Sequence, residues 1–135
     1  MKVAPICAQA GITGFESPAA EYKELGLSLD DLLIHHPNAT FLALASGCSM
    51  QEIGIFDGDI LIVDRAMDTQ NGDVIVANYN GELVCKIIDK QHRQLLSASP
   101  QYSPVTIRET DVFQLEGVVI RAVRMLRGSA RLCSR

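Results

Sequence analysis

No apolar run in this chain approaches the 18 residues that a membrane-spanning helix requires, and its N-terminus lacks a basic stretch leading into a long hydrophobic one. Neither a membrane anchor nor a secretory leader is expected, and the expected location is the cytoplasm. The four cysteines, Cys7, Cys48, Cys85 and Cys133, form no CxxC pair, so they read as reduced thiols rather than as a disulfide framework. His35, His36 and His92 have no partners at metal-ligating spacing, and neither a metal nor another cofactor is expected. Positive charge is scarce as well. A net charge of −4 and a pI near 5.3 argue against broad neutralisation of phosphates, so direct sequence-specific binding to DNA is not expected. Internal repeats and low-complexity tracts are absent.

What the chain does have is apolar content. With 135 residues, 47% hydrophobic and 21% charged, it can build one domain with its own core. The first 20 residues hold Pro5, Gly11, Gly14 and Pro18 and show no period of two or of 3.6, which reads as an extended, mobile arm. Ser28-Leu29-Asp30-Asp31 then offers a serine N-cap with an acid three residues on, predicting a helix of about two turns that stops by Pro37. From Thr40 onward short β-branched or apolar runs alternate with turn residues. Strands are predicted over residues 40–46, 60–64, 73–79, 82–89, 94–98 and 112–125, the last with a break. Asn80-Gly81 marks a two-residue hairpin, because a type I′ turn needs positive φ at both central positions. Together these predict a mostly antiparallel β fold, curled or partly closed. Arg121, Arg124, Arg127, Arg131 and Arg135 gather at the C-terminal end; they read as a solvated basic tail, or else as a contact for an acidic partner.

Two residues stand out chemically. Ser49 lies in Ser46-Gly47-Cys48-Ser49-Met50, after the first predicted strand and at the start of a predicted helical turn over residues 49–53. Lys86 interrupts the apolar run Leu83-Val84-Cys85-Lys86-Ile87-Ile88, and strand alternation sets it on one face with Val84 and Ile88. A serine hydroxyl is a poor nucleophile until a base removes its proton, and a lysine can serve only where desolvation depresses its pKa. Bringing a lysine from its reference near 10.4 to near 7 costs about 4 kcal/mol, which few structural roles justify. Backbone N–H groups near Cys48 and Ser49 could steady an oxyanion, helped by the N-terminal end of the short turn. Gly47 would let a substrate backbone approach closely. Asp57, Asp59 and Asp73 sit in turns and need no catalytic role.

The same segments carry a resemblance. Ser46-Gly47-Cys48-Ser49-Met50, Gly54-Ile55-Phe56-Asp57-Gly58-Asp59-Ile60-Leu61-Ile62-Val63-Asp64, Asn71-Gly72-Asp73-Val74-Ile75-Val76-Ala77 and Lys86 resemble the self-cleaving serine-lysine domain of LexA-type repressors and UmuD. The 37-residue separation of Ser49 and Lys86 also fits that family. Upstream, Gly14-Phe15-Glu16-Ser17-Pro18-Ala19-Ala20-Glu21-Tyr22 and Leu32-Leu33-Ile34-His35-His36-Pro37 are similar to UmuD-like members in particular. The likeness runs roughly from Ala10 to Arg127.

The resemblance implies a LexA/signal-peptidase-like sheet domain over residues 23–135 behind a cleavable arm over residues 1–22. It implies a serine endopeptidase acting mainly on itself, with Ser49 as nucleophile and Lys86 as general base. Family members cut before a glycine in the N-terminal segment. Ala10-Gly11 matches the Ala-Gly bond of the repressors, and Thr13-Gly14 aligns better with UmuD although Thr13 departs from both patterns. Ala10-Gly11 is favoured, because a β-branched threonine is harder to seat in a pocket for a small side chain. Cys48 stands where UmuD carries aspartate; it reads as a small hydrophobe beside the nucleophile. Further implications are a homodimer, cleavage stimulated by a RecA filament on single-stranded DNA in the SOS response, and a UmuC-type error-prone polymerase as partner in translesion synthesis.

Three other readings share the fold. A LexA-like repressor requires a DNA-binding unit, and the 10 to 13 residues before the candidate bonds are fewer than the ~20 of a two-helix recognition unit. A signal peptidase, which also uses Ser and Lys, requires a membrane segment. An inactive protein-binding module with the same fold is the remaining alternative.

Overall fold

The computed structural model describes residues 28–127; the arm with both candidate scissile bonds, and the last arginines, lie outside them. The chain divides into two units between His35 and His36. In the described part of the first, Ser28 caps helix α1 (Leu29–Leu33) through a reciprocal capping box. The Asp31 N–H donates to Ser28 Oγ at 3.1 Å and the Ser28 N–H to Asp31 Oδ2 at 3.4 Å. The helix is shorter than the expected two turns. Ile34 is already extended at φ −118°, ψ 113°, three residues ahead of Pro37.

Among the described residues, the second unit is an antiparallel sheet of seven strands: β1 (Thr40–Leu44), β2 (Ile60–Asp64), β3 (Val74–Tyr79), β4 (Glu82–Asp89), β5 (Gln94–Leu96), β6 (Val105–Thr106) and β7 (Phe113–Val123). Their spatial order is β1-β2-β7-β3-β4-β5-β6, so the sheet is open at β1 and β6 rather than closed into a barrel. Every pairing is antiparallel, as the short connections predict. The β3–β4 hairpin turns at Asn80 (φ 52°) and Gly81 (φ 86°), the positive pair a type I′ turn requires.

Strand β7 is central, and its expected break is realised without interrupting it. The register slips by a residue opposite Ile62/Val63 on β2 and opposite Val76/Ala77 on β3, as at a β-bulge. Gly117 adjoins the slip against β3, and nothing larger fits there: a Cβ would lie 2.7 Å from Val63 Cγ1 and 2.9 Å from the Asp64 carbonyl oxygen.

Alternation along β3 divides the core in two. Val76 joins Met50, Ile55, Leu61, Val63 and Ala98, whereas Ile75 and Ala77 join Ile88 and Leu95. Val84 packs beside the second cluster, so Val84 and Ile88 share the face predicted for them. Strand β5 is shorter than predicted because Ala98 pairs elsewhere, its N–H donating to the Ser49 carbonyl and its own carbonyl accepting from Glu52. Strand β6, two exposed residues opposite Gln94 and Leu95, is too short to announce itself by period.

Candidate active site

Ser49 is presented by a loop that leaves β1 and is tied at each step. The Ala45 N–H donates to the Asp59 carbonyl and the Gly58 N–H to the Ala45 carbonyl, both at 2.8 Å. The Gly47 N–H donates to Asp57 Oδ1 at 2.9 Å. Gly47 takes φ +93°, a conformation costly for any residue with a Cβ. Beyond Ser49, Met50 is buried in the core, and the Ser49 carbonyl accepts from Ala98 at 2.7 Å.

The helical turn begins later than expected. It is a 3₁₀ turn over Gln51–Ile53 capped at Met50, so Ser49 lies outside it. One turn of this kind supplies little dipole to an oxyanion. With its N–H held by Asp57, Gly47 sets loop geometry, and the nearby N–H groups of Cys48 and Ser49 are the ones to consider as oxyanion donors. Cys48 is half-buried rather than enclosed, its Sγ 3.5 Å from the Tyr102 hydroxyl, a contact that pushes the tyrosine pKa up.

Lys86 reaches this loop from β4, where it pairs with Ile75. Its Nζ lies 2.9 Å from Ser49 Oγ and 2.8 Å from Ser97 Oγ, and 5.3 Å from the centre of the Tyr102 ring. Burial holds the Lys86 pKa below its ordinary value, and only a Cys85 thiolate would push it back. That opposition is absent near neutrality, since burial raises the Cys85 thiol to about 11 and it stays uncharged. Among the described residues no carboxylate pairs with Lys86. As an ammonium, Lys86 donates to both serines; as a free amine, its lone pair can take the Ser49 proton.

The structure therefore brings the two predicted residues into contact. It also adds three that sequence reasoning missed: Ser97, Tyr102 and, behind the loop, Asp57. Ser97 had a signal, because it follows β5, and extending the Ile87↔Leu96 register by one step sets it opposite Lys86. Among the described residues no group of His, Cys, Asp or Glu side chains is arranged to hold a metal, and no helix is long and apolar enough to cross a membrane.

Beside Ser49 and Lys86 opens a cleft of about 420 Å³, lined among others by Ala43, Ala45, Met50, Ile55, Leu61 and Val76. It runs between segments of β1 and β4. Among the described residues, strand β1 ends the sheet, and residues 82–86 of β4 pair only with β3, since β5 covers Ile87–Asp89.

Arg124 corrects the reading of the C-terminal arginines as a solvated tail. Its Nε and Nη2 bond Asp59 Oδ1 and Oδ2, each at 3.0 Å, Nη2 also bonds the Gly54 carbonyl at 2.8 Å, and the guanidinium lies 4.2 Å from the centre of the Phe56 ring. It braces the segment that carries Asp57.

Known proteins share this chain's pattern. It matches the Peptidase S24-like family over residues 5–120. It is 38% identical over 128 residues to Protein ImpA of Salmonella typhimurium, covering 93% of this chain and 88% of that protein. It is 35% identical over 122 residues to Protein SamA of Salmonella typhimurium strain LT2, with 90% and 87% covered. To the LexA repressor of Bordetella parapertussis it is 34% identical over 109 residues, 78% of this chain but 50% of the repressor. Similarity of this extent, on a mainly β domain that sets a serine hydroxyl against a half-buried lysine, makes this chain a member of the Peptidase S24-like family of self-cleaving serine peptidases, the family of LexA and UmuD.

Proposed function

We propose that the chain is a serine endopeptidase that cuts its own N-terminal arm, with Ser49 as nucleophile and Lys86 as general base. The observation that carries this is the 2.9 Å contact between Ser49 Oγ and an amine whose pKa burial lowers and no carboxylate restores. Lys86 as a free amine takes the Ser49 proton as Oγ attacks the carbonyl carbon of the scissile bond. The N–H groups of Cys48 and Ser49 receive the developing oxyanion. The Lys86 ammonium then protonates the leaving amine, and water, activated by the same amine, releases the acyl group.

The cleft favours an extended peptide, which can add to the edges of β1 and β4 through its backbone. A site for a small side chain suits Ala10 better than the β-branched, stiffer Thr13. Ala10-Gly11 is accordingly the bond we assign, with Thr13-Gly14 second. The likeness to UmuD supports the wider role: an accessory subunit of an error-prone translesion polymerase, cytoplasmic and homodimeric, trimmed when a RecA filament on single-stranded DNA stimulates cleavage.

The test is to hold the purified full chain at about pH 10, where more of the amine is free than at neutrality, and follow intact mass beside Ser49→Ala. Wild type should yield a product beginning at Gly11, or at Gly14, and the variant none. A wild-type chain that stays intact, with and without RecA filaments, would overturn the reading.

A further inference from the structure

We infer that Ser97 is a positioning residue for Lys86: its hydroxyl accepts one N–H of the amine and thereby aims the amine lone pair at Ser49. This rests on Lys86 being the general base. A free amine carries two N–H groups and one lone pair, and it turns about the Cε–Nζ bond among three staggered positions. One position in three points the lone pair at Ser49. An acceptor at a second fixed point disfavours the position that turns the lone pair away from Ser49 and onto that acceptor, and Ser97 Oγ lies 2.8 Å from Nζ.

Ser97 is well placed to be that point, because the segment it belongs to is tied to both partners of the reaction. The Ile87↔Leu96 register, extended by one step past β5, sets Ser97 across from Lys86. The next residue, Ala98, is buried in the cluster that holds Met50. Its N–H donates to the Ser49 carbonyl at 2.7 Å, and its carbonyl accepts from Glu52 at 2.9 Å. Side chain to the base and backbone to the nucleophile's loop, these two residues gauge the separation of Nζ from Oγ. Such preorganisation is what a supporting hydroxyl contributes to a reacting pair.

Ser97→Thr and Ser97→Val isolate the hydroxyl, being close in shape and differing by it alone. Relative to Thr, Val should slow self-cleavage by up to about 3-fold if only amine rotation is freed, and by up to about 100-fold if Nζ is also displaced. Thr should remain near wild type. A second readout uses the Ser49→Ala background, in which nothing is cut: the titration of Lys86 followed by NMR of its side chain. Loss of an acceptor for the ammonium should move the midpoint down in Val relative to Thr, and an effect confined to packing would leave it in place. If Val disturbs the fold, Ser97→Ala replaces it in both measurements. Equal cleavage by Thr and Val overturns the proposal, and so does slower cleavage with an unmoved midpoint. A wild-type chain that never cuts itself refutes the self-cleavage reading instead, and the titration then decides alone whether Ser97 holds the amine.

Discussion

Two regions of this domain take charge out of water, and they do it in opposite ways. Asp59 and Asp64 are almost wholly buried, at 2% and 0% exposure, and each is met by a nitrogen-bearing side chain. Arg124 takes both oxygens of Asp59, and His36 Nδ1 lies 2.6 Å from Asp64 Oδ2. Hydrogen bonds from Arg124, with the Phe56 N–H, hold the Asp59 pKa down against burial. For Asp64 burial pushes up, yet bonds from His36 and the Ala66 N–H outweigh it and the net direction is down. Lys86 is met by two hydroxyls and a ring, and its pKa moves toward neutrality instead. Close hydrogen bonds to their oxygens keep these carboxylates ionised and structural, whereas neutral hydroxyl partners leave an amine able to exchange its proton.

The largest effect should come from reversing the two kinds of cation. Lys86→Arg keeps the charge but cannot be deprotonated near neutrality. It should lower self-cleavage by at least about 10³-fold, as should Ser49→Ala and Lys86→Ala, while each variant melts as a folded domain. Cleavage by folded Lys86→Arg within tenfold of wild type would end the general-base assignment. Next in size is Gly117→Ala, which forces a methyl against Val63 and the Asp64 backbone at the β7 slip. Urea unfolding should show a loss of about 1–3 kcal/mol, with self-cleavage intact at temperatures where the domain is folded. Arg124→Lys should lower Tm by less than Gly117→Ala does. It preserves the charge beside Asp59 and loses the paired N–H bonds and the Gly54 contact. An unchanged Tm would show that Arg124 is a surface contact and not a brace.

The sheet was legible because its signals are local. Ile60–Asp64 and Glu82–Asp89 run as predicted, since apolar runs and an Asn-Gly turn announce themselves within a few residues, and so does the Ser28 cap of α1. Ser49 and Lys86 were legible as chemistry, one in a turn and one where a charge is costly. What escaped depends on long-range pairing. Asp59 meets Arg124 across 65 residues, and Asp64 meets His36 across 28, so turn position alone could not separate these acids from Asp73, which bonds the nearby Gln70 N–H. Residues that support Lys86 were equally hidden. Ser97 matters only once β5 is in register, and Tyr102 only once the chain after it folds back toward Cys48. The helical turn expected from Ser49 starts only after Met50, because Met50 is drawn into the core.

The smallest effect, and the one that tests the comparison at its root, is the pH dependence of stability, measured in Ser49→Ala so that nothing is cut. Asp59 and Asp64 have lowered folded pKa values. Their stabilisation is full above the unfolded value near 3.9 and is lost as pH falls through the folded values, so it is complete throughout the neutral and alkaline range. Lys86 acts in that range. Its folded pKa lies below the unfolded value of about 10.5, so between the two the unfolded chain binds more protons and stability rises with pH. Lys86→Met removes the amine and keeps much of the side-chain length. It should be more stable than its parent near pH 7, with the advantage shrinking toward pH 10, while the two acid-unfolding limbs keep the same shape. Urea midpoints across this range give the difference directly. A constant offset would mean that the Lys86 amine has the same affinity for its proton folded and unfolded, and the contrast between hydroxyl-held and carboxylate-held charge would be lost.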